Sequence, residues 1–209
     1  MLMKKIDLSV IITAHAEGII MHKTLLSVYR ALSRLENTRI IWEIIIHVDN
    51  PNQATRDYLD SNKNFLRGVR LFENSFGDLG ESRNYAIKQA HGRFVAILDA
   101  DDLMSQNWLF EGYKFLSTHK YGKYVAHTDM TVEFGGFNSV VQKYSEINKI
   151  TDTLLSVYSA RWNSVIMTAR EVLLRNPYAP NSQGYGYEDW HLSCSFIQRG
   201  LHNVTIPRT

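Results

Sequence analysis

The chain has 209 residues, room for one full hydrophobic core, and at 44% hydrophobic and 21% charged it has the make-up of an ordinary soluble globular protein. Its 23 basic and 21 acidic residues leave a formal net charge of +2, with no basic block or stripe, which argues against nucleic acid as the main partner. The single cysteine, Cys194, excludes an internal disulfide framework and fits a reducing compartment.

In chain order, two lysines and a short apolar run broken by Asp7 are too short for a signal-peptide core, and no run approaches the roughly 18 apolar residues needed to span a bilayer. The compartment expected is therefore cytoplasmic, with peripheral contact at the inner face of the membrane left open. "LSVIIT" (8–13) predicts a strand, and "MHKTLLSVYRALSRL" (21–35) a helix with Leu25, Val28, Tyr29, Leu32 and Leu35 on one face. "WEIIIHVD" (42–49) is a buried strand, "NQATRDYLDSN" (52–62) a polar helix, and "VRLFE" (69–73) a strand. A helix over 79–90 is stopped by His91-Gly92, "RFVAILD" (93–99) is the fourth strand, and 107–119 the helix after it. Apolar strands alternating with amphipathic helices define an α/β fold with a mostly parallel central sheet covered on both faces. Ligands of such sheets bind beyond the carboxyl ends of the strands, where the winding direction switches, and Asp49 and Asp99 both end strands there.

The second half is less regular. It predicts one strand over 123–134, a turn at "GGFNS" (135–139), a strand over 162–168 and a helix over 169–176. A Pro-, Gly- and Tyr-rich loop over 176–190 leads into a helix over 187–200 stopped by Gly200. We read 1–209 as one domain sharing one core, with a nucleotide-binding half (1–120) and an acceptor-side half (121–209).

Chemistry concentrates at "VAILDADDLM" (95–104), where an apolar run ends on Asp99, Asp101 and Asp102. Helix capping accounts for one of these acids. Asp99 and Asp101, one residue apart, can both reach a hard cation, Mg2+ or Mn2+, which would bridge a diphosphate and absorb its charge as it leaves. A second acidic pair, Glu188 and Asp189 in "YEDW" (187–190), sits at a helix start, where the dipole favours negative charge. The eight histidines show no zinc-ligand spacing; His127 and His191 are the two that could approach the cation or an acceptor, and a satisfied or surface role suits both better.

In order, "LSVIITAHAEGIIMHKTLLSV", "EIIIHVDN", "GDLGESRNYAIKQAHGRFVAILDADD" and "GYEDWHLSCSFIQRG" resemble family 2 glycosyltransferases of the A-type fold, over essentially the whole chain. The strongest stretch is 77–102, with its "RN" pair and "LDADD". The resemblance implies a Rossmann-like nucleotide half and a mixed acceptor half. It implies a DxD motif with Asp101 as metal ligand and Asp99 near the ribose or metal, while Asp102 supports the turn. Thr13, His15, Glu17, Asp49 and Arg83 become nucleotide-sugar contacts, Asp189 the base of an inverting transfer and Glu188 its neighbour. Trp190 and Tyr187 become acceptor contacts. The cofactor implied is Mn2+ or Mg2+, and the partners are a nucleotide-diphosphate sugar and a glycan or lipid-linked glycan acceptor, in glycan or surface polysaccharide synthesis. UDP is favoured, with GDP and dTDP open, because "TAHA" and "DNPN" stand where many members have "PTYN" and "DDGS". No QxxRW motif is present, so single addition is expected rather than polymer synthesis. The ending "VTIPRT" implies the N-terminal catalytic piece of a longer protein. Two other readings stay open: a nucleotidyltransferase, and a degenerate nucleotide-sugar-binding module. Against the first, "TAHAEGII" lacks the basic, Gly-rich triphosphate loop.

Overall fold

Seven residues in a row, Leu8–Ala14, are buried in strand β1, which requires cover on both faces of the sheet. In this computed structural model the residues described are 5–134, 139–143, 158, 160, 162–181 and 186–209. Helix α1 (Met21–Ser33) returns over the sheet with Met21, Thr24, Leu25, Val28, Ala31 and Leu32 buried at helical spacing. Strand β2 (Trp42–Asp49) follows, then α2 (Gln53–Ser61), whose cap Asn52 accepts the Thr55 N–H at 2.9 Å, and β3 (Arg70–Asn74). Helix α3 (Leu79–Gln89) is capped by Asp78, which accepts the Glu81 N–H at 2.7 Å. Strand β4 (Phe94–Asp99) and helix α4 (Trp108–Thr118) complete the first half.

The main sheet has the order β3-β2-β1-β4-β8-β5-β9, where β5 is Tyr124–Thr128, β8 Ile166–Ala169 and β9 His202–Ile206. Strands β1 to β4 pair in parallel, β5 pairs in parallel with β9, and only β8 runs against its neighbours β4 and β5. From β1 the chain winds outward through β2 to β3, then crosses back to place β4 on the other side of β1. That reversal opens a crevice at the carboxyl ends of β1 and β4, where Thr13 and Asp99 lie side by side in register. One apolar core runs from Leu8 of β1 to Ile206 of β9. Helices α5 (Arg170–Arg175) and α6 (Glu188–Gln198) belong to the second half.

The structure departs from the sequence reading in several places. The single strand expected over 123–134 is two, because Asp129 leaves the ladder: its N–H donates to Thr209 Oγ1 at 3.0 Å and its Oδ2 accepts the Arg208 N–H at 3.1 Å. Strand β6 (Met130–Glu133) instead pairs antiparallel with β7 (Val140–Lys143) as a separate hairpin, and of the expected turn at 135–139 only Ser139 lies within the described residues. The strand expected over 162–168 is confined to β8, since Asn163 Oδ1 takes the Val165 N–H at 3.2 Å and holds that stretch in a turn. Strand β9 had no expectation attached. Helix α1 ends at Ser33, so Leu35 packs from the turn that follows. Gly92 follows α3 by three residues and its small size serves the sheet: a Cβ there would lie 2.4 Å from Ser9 N.

Candidate active site

Arg83 of α3 is the largest charged group in the interior, with 0% of its surface exposed. Its Nη2 donates to both Asp99 oxygens at 2.8 Å, and its Nη1 to Asp189 Oδ1 at 2.7 Å, with Glu188 Oε1 at 3.6 Å. The Tyr178 ring lies 5.1 Å from the guanidinium carbon. Burial works against the charge, but Asp99 and then Tyr178 and Asp189 override it, so the proton is held more tightly than usual. Next to it, Asn84 clamps Tyr178 from both sides, donating to its carbonyl and accepting its N–H, each at 2.9 Å. The "RN" pair thus ties α3 to the end of β4, to the segment before α6 and to the start of α6 itself.

The acids differ in environment. Burial pushes the Asp189 carboxyl up to about 6, opposed by Arg83 and aided by the charges of Asp99, Glu188 and Asp102. Burial also pushes Asp102 up to about 6, with Asp99 and Asp101 adding to it, while Arg83 and a hydrogen bond from Ser164 oppose it. Asp101 is exposed, and among the described residues no protein donor engages its carboxylate. Thr13 Oγ1 donates to Asp99 Oδ1 at 2.8 Å, so Asp99 is fixed from β1 as well as from α3.

A cleft of about 500 Å³ opens above Thr13 and Asp99. It gathers six of the residues singled out in sequence, Thr13, His15, Glu17, Asp49, Asp99 and Asp101, from the ends of β1, β2 and β4. Glu17 Oε2 accepts the His15 N–H at 2.6 Å, and His15 Nδ1 lies against the Asp49 carbonyl. Asp49 uses one lone pair of each oxygen on the next loop: Oδ1 accepts the Phe76 N–H at 2.6 Å and Oδ2 the Gly77 N–H at 2.8 Å. Gly77, Asp78, Leu79 and Ser82 add a wall that sequence reasoning missed. The signal for it was local, since Asp78 is a helix cap beside a glycine at φ 68°.

Arg83 lies beneath this cleft and does not line it; α3 instead brings it under the acids. Glu188 and Asp189 reach the site through Arg83. Tyr187 is 66% exposed with φ 71°, and its ring meets Trp190 edge-on at 5.8 Å; neither lines the cleft. His127 is buried with Nε2 2.9 Å from Asn203 Oδ1 and stacked on Trp162, and His191 is exposed, so the satisfied and surface roles fit both.

The donor set fits a hard divalent cation of the kind that binds one or two carboxylates and completes its shell with phosphate oxygens and water. Asp101 offers an unengaged carboxylate, and Asp99 keeps one lone pair, on Oδ2, beyond those used by Thr13 and Arg83. Among the described residues no three His, Cys, Asp or Glu side chains form a protein-only cage.

The molecule is therefore an α/β fold with acids at the switch point of its sheet. Residues 9–179 match the family model for glycosyl transferase family 2, and the chain belongs to that family. It is similar to TarS of Staphylococcus aureus, a poly(ribitol-phosphate) β-N-acetylglucosaminyltransferase, with 26% identity over 98 residues, 46% of this chain and 17% of that protein. To WfgD of Escherichia coli, a UDP-Glc:α-D-GlcNAc-diphosphoundecaprenol β-1,3-glucosyltransferase, it is 31% identical over 129 residues, 57% of this chain and 45% of that protein. It thus spans less than half the length of either. The crystal structure of TarS matches with a TM-score of 0.73 at 18% identity, over 98% of this chain and 36% of that one. Glucosyl-3-phosphoglycerate synthase from Mycobacterium tuberculosis, in complex with Mn2+, UDP and glucosyl-3-phosphoglycerate, matches at 0.63 and 17% identity, over 96% and 70%. These neighbours have the A-type glycosyltransferase fold, and this chain shares it. Among the described residues no helix is long and apolar enough to cross a membrane.

Proposed function

We propose that the chain is a metal-dependent, inverting glycosyltransferase domain that moves a sugar from a nucleotide diphosphate, UDP in preference, to an acceptor hydroxyl. The observation that carries this reading is the Arg83 bridge, which joins the acid floor of the cleft to a carboxyl whose proton affinity lies near neutrality. Thr13, His15, Glu17 and Asp49 line the nucleotide side, and Asp99 and Asp101 would hold Mn2+ or Mg2+. When bound, that ion supplies charge neutralisation to the departing diphosphate. Asp189 takes the acceptor proton as the hydroxyl oxygen bonds to the anomeric carbon. The bond to the diphosphate breaks and its electron pair leaves with the nucleotide. A base whose pKa lies near the working pH is suited to this step. Glu188 keeps Asp189 company in raising that affinity, and Arg83 holds it in place. Tyr187 and Trp190 are assigned to the acceptor side. UDP is supported by the UDP and UDP-GlcNAc complexes of TarS. Glycan or lipid-linked acceptors are supported by the names of TarS and WfgD, and work at the cytoplasmic face of a membrane, in surface polymer synthesis, belongs to the same proposal. Residues 1–120 would serve the donor and 121–209 the acceptor.

The test is thermal melting with UDP, GDP, dTDP and CMP, each in Mn2+ and in EDTA, with Asp101→Ala alongside. A ligand at about 100 times its Kd should add about 2.7 kcal/mol, a shift of about 5–10 °C for a chain this size. UDP is expected to stabilise the wild type with Mn2+ only, and Asp101→Ala to abolish the shift. If no nucleotide moves the melting point of the wild type, the donor reading is wrong.

A further inference from the structure

Beside Asp49 lies a buried group that the transfer itself does not use. His47 stands two residues before Asp49 on β2, so both side chains leave the same face of the sheet, and none of its surface is exposed. Its Nε2 donates to Asn74 Oδ1 at 3.0 Å, which puts the ring proton on Nε2 and leaves Nδ1 buried without a partner. Burial holds the imidazole below its usual value, so the ring is neutral. A hydrocarbon ring would fill this space without stranding a nitrogen, so packing alone does not account for a histidine here.

Asn74 opens the loop that faces Asp49. Its carbonyl accepts the Asn50 N–H at 2.9 Å, and its side chain is the one His47 holds. Two residues on, the Phe76 ring stacks on His47 at 5.7 Å and 14°, with Tyr85 of α3 against both rings. Phe76 and Gly77 then give their N–H groups to Asp49 Oδ1 and Oδ2. One imidazole thus fixes both the start and the middle of the loop whose amides aim the carboxylate. Strand β1 lies between β2 and β4, which sets Asp49 about 10 Å across the sheet from Asp99 at the usual strand spacing. A diphosphate at Asp99 and Asp101 leaves that span for the ribose and puts the base at Asp49.

We propose that His47 is a positioning residue for nucleobase selection: by setting the Asn74–Gly77 loop it aims the Asp49 carboxylate at a base that presents a ring N–H. An ionised carboxylate only accepts. Uracil and thymine carry a hydrogen at N3, whereas cytosine carries a lone pair there, which the carboxylate repels. His47 acts through the loop and touches no part of the nucleotide. The proposal rests on the donor reading above and adds to it the residue that makes Asp49 selective.

The experiment is calorimetric titration of UDP and CDP, each with Mn2+, into the whole chain and into His47→Phe, Asn74→Ala and the two combined. His47→Phe keeps a ring in the stack and drops the donor; Asn74→Ala, at a half-buried position, drops the acceptor and keeps the imidazole. The wild type is expected to prefer UDP by about tenfold or more. Each single variant should weaken UDP by about fivefold while leaving CDP within about twofold, which shrinks the preference itself. The double variant should stay within about twofold of the singles, because both changes break the same bond. Loss of UDP and CDP binding in equal proportion would make His47 structural only and overturn the proposal, as would an unchanged preference or losses that multiply in the double variant. A wild type that takes UDP no better than CDP overturns it too, and the melting series decides the donor reading separately.

Discussion

Arg83 holds a full charge with none of its surface in water, tolerable only because carboxylates and a ring surround it. Removing one partner of a buried ion pair leaves the others uncompensated and costs about 3–5 kcal/mol. Arg83→Met should therefore lower the urea unfolding free energy by about that amount. Arg83→Lys, a point charge without the fork, should recover part of it but not the joint hold on Asp99 and Asp189. Asp189→Asn tests the chemistry separately. If Asp189 is the base, kcat should fall by about 10²–10⁴, while the UDP-dependent melting shift remains. Sequence made this arginine visible as one half of an "RN" pair, but not its place. Fully buried arginines are rare, so local sequence directs such a residue to the surface, and only partners 16 and 106 residues away reverse that.

Among the elements, α3 has the most to lose at its first turn. Asp78 caps it through the Glu81 N–H, and its other oxygen accepts the Asn181 N–H at 2.6 Å, tying the approach to α6 onto the helix that carries Arg83. Asp78→Ala should cost about 1 kcal/mol for the cap, and more in proportion to how far Asn181 depends on it. A urea midpoint lowered at unchanged slope would show it. The alternation of strands and helices through residue 119 was legible because each strand is an uninterrupted apolar run and each helix has a buried stripe. The strand ends were legible for the same reason, and with them Thr13, Asp49, Asp99 and Asp101. The break at Asp129 was not, since it depends on Arg208 and Thr209 some 80 residues later. Nor was the seat of β8, because strand order within a sheet leaves no local mark.

Across the whole molecule, acidity links stability to activity in opposite directions. Asp189 and Asp102 both bind a proton more tightly in the folded state, with values raised from 3.8 to about 6. Their contribution to stability is thus complete below about pH 4, where both states are protonated, and is lost as pH rises through about 6. These two groups make the nucleotide-free protein more resistant to urea as pH falls from 7 to 5, against the opposing pull of buried His47, whose imidazole burial holds below its usual value. If Asp189 is the base, transfer should weaken over the same range as it is neutralised. Asp189→Asn should flatten the stability profile; a profile that stays as steep would remove Asp189 as its source.

The sheet order also bears on how the chain is made. Strand β8 lies between β4 and β5, so β5, synthesised some 40 residues earlier, has no neighbour in the sheet until β8 emerges from the ribosome. Likewise Arg83 waits about a hundred residues for Asp189. The first half can collapse early, yet its buried cation lacks the charges of Asp189 and Glu188 until α6 docks. A chain interrupted before that helix would carry a strained interior, a ready mark by which proteases could tell an unfinished copy from a finished one.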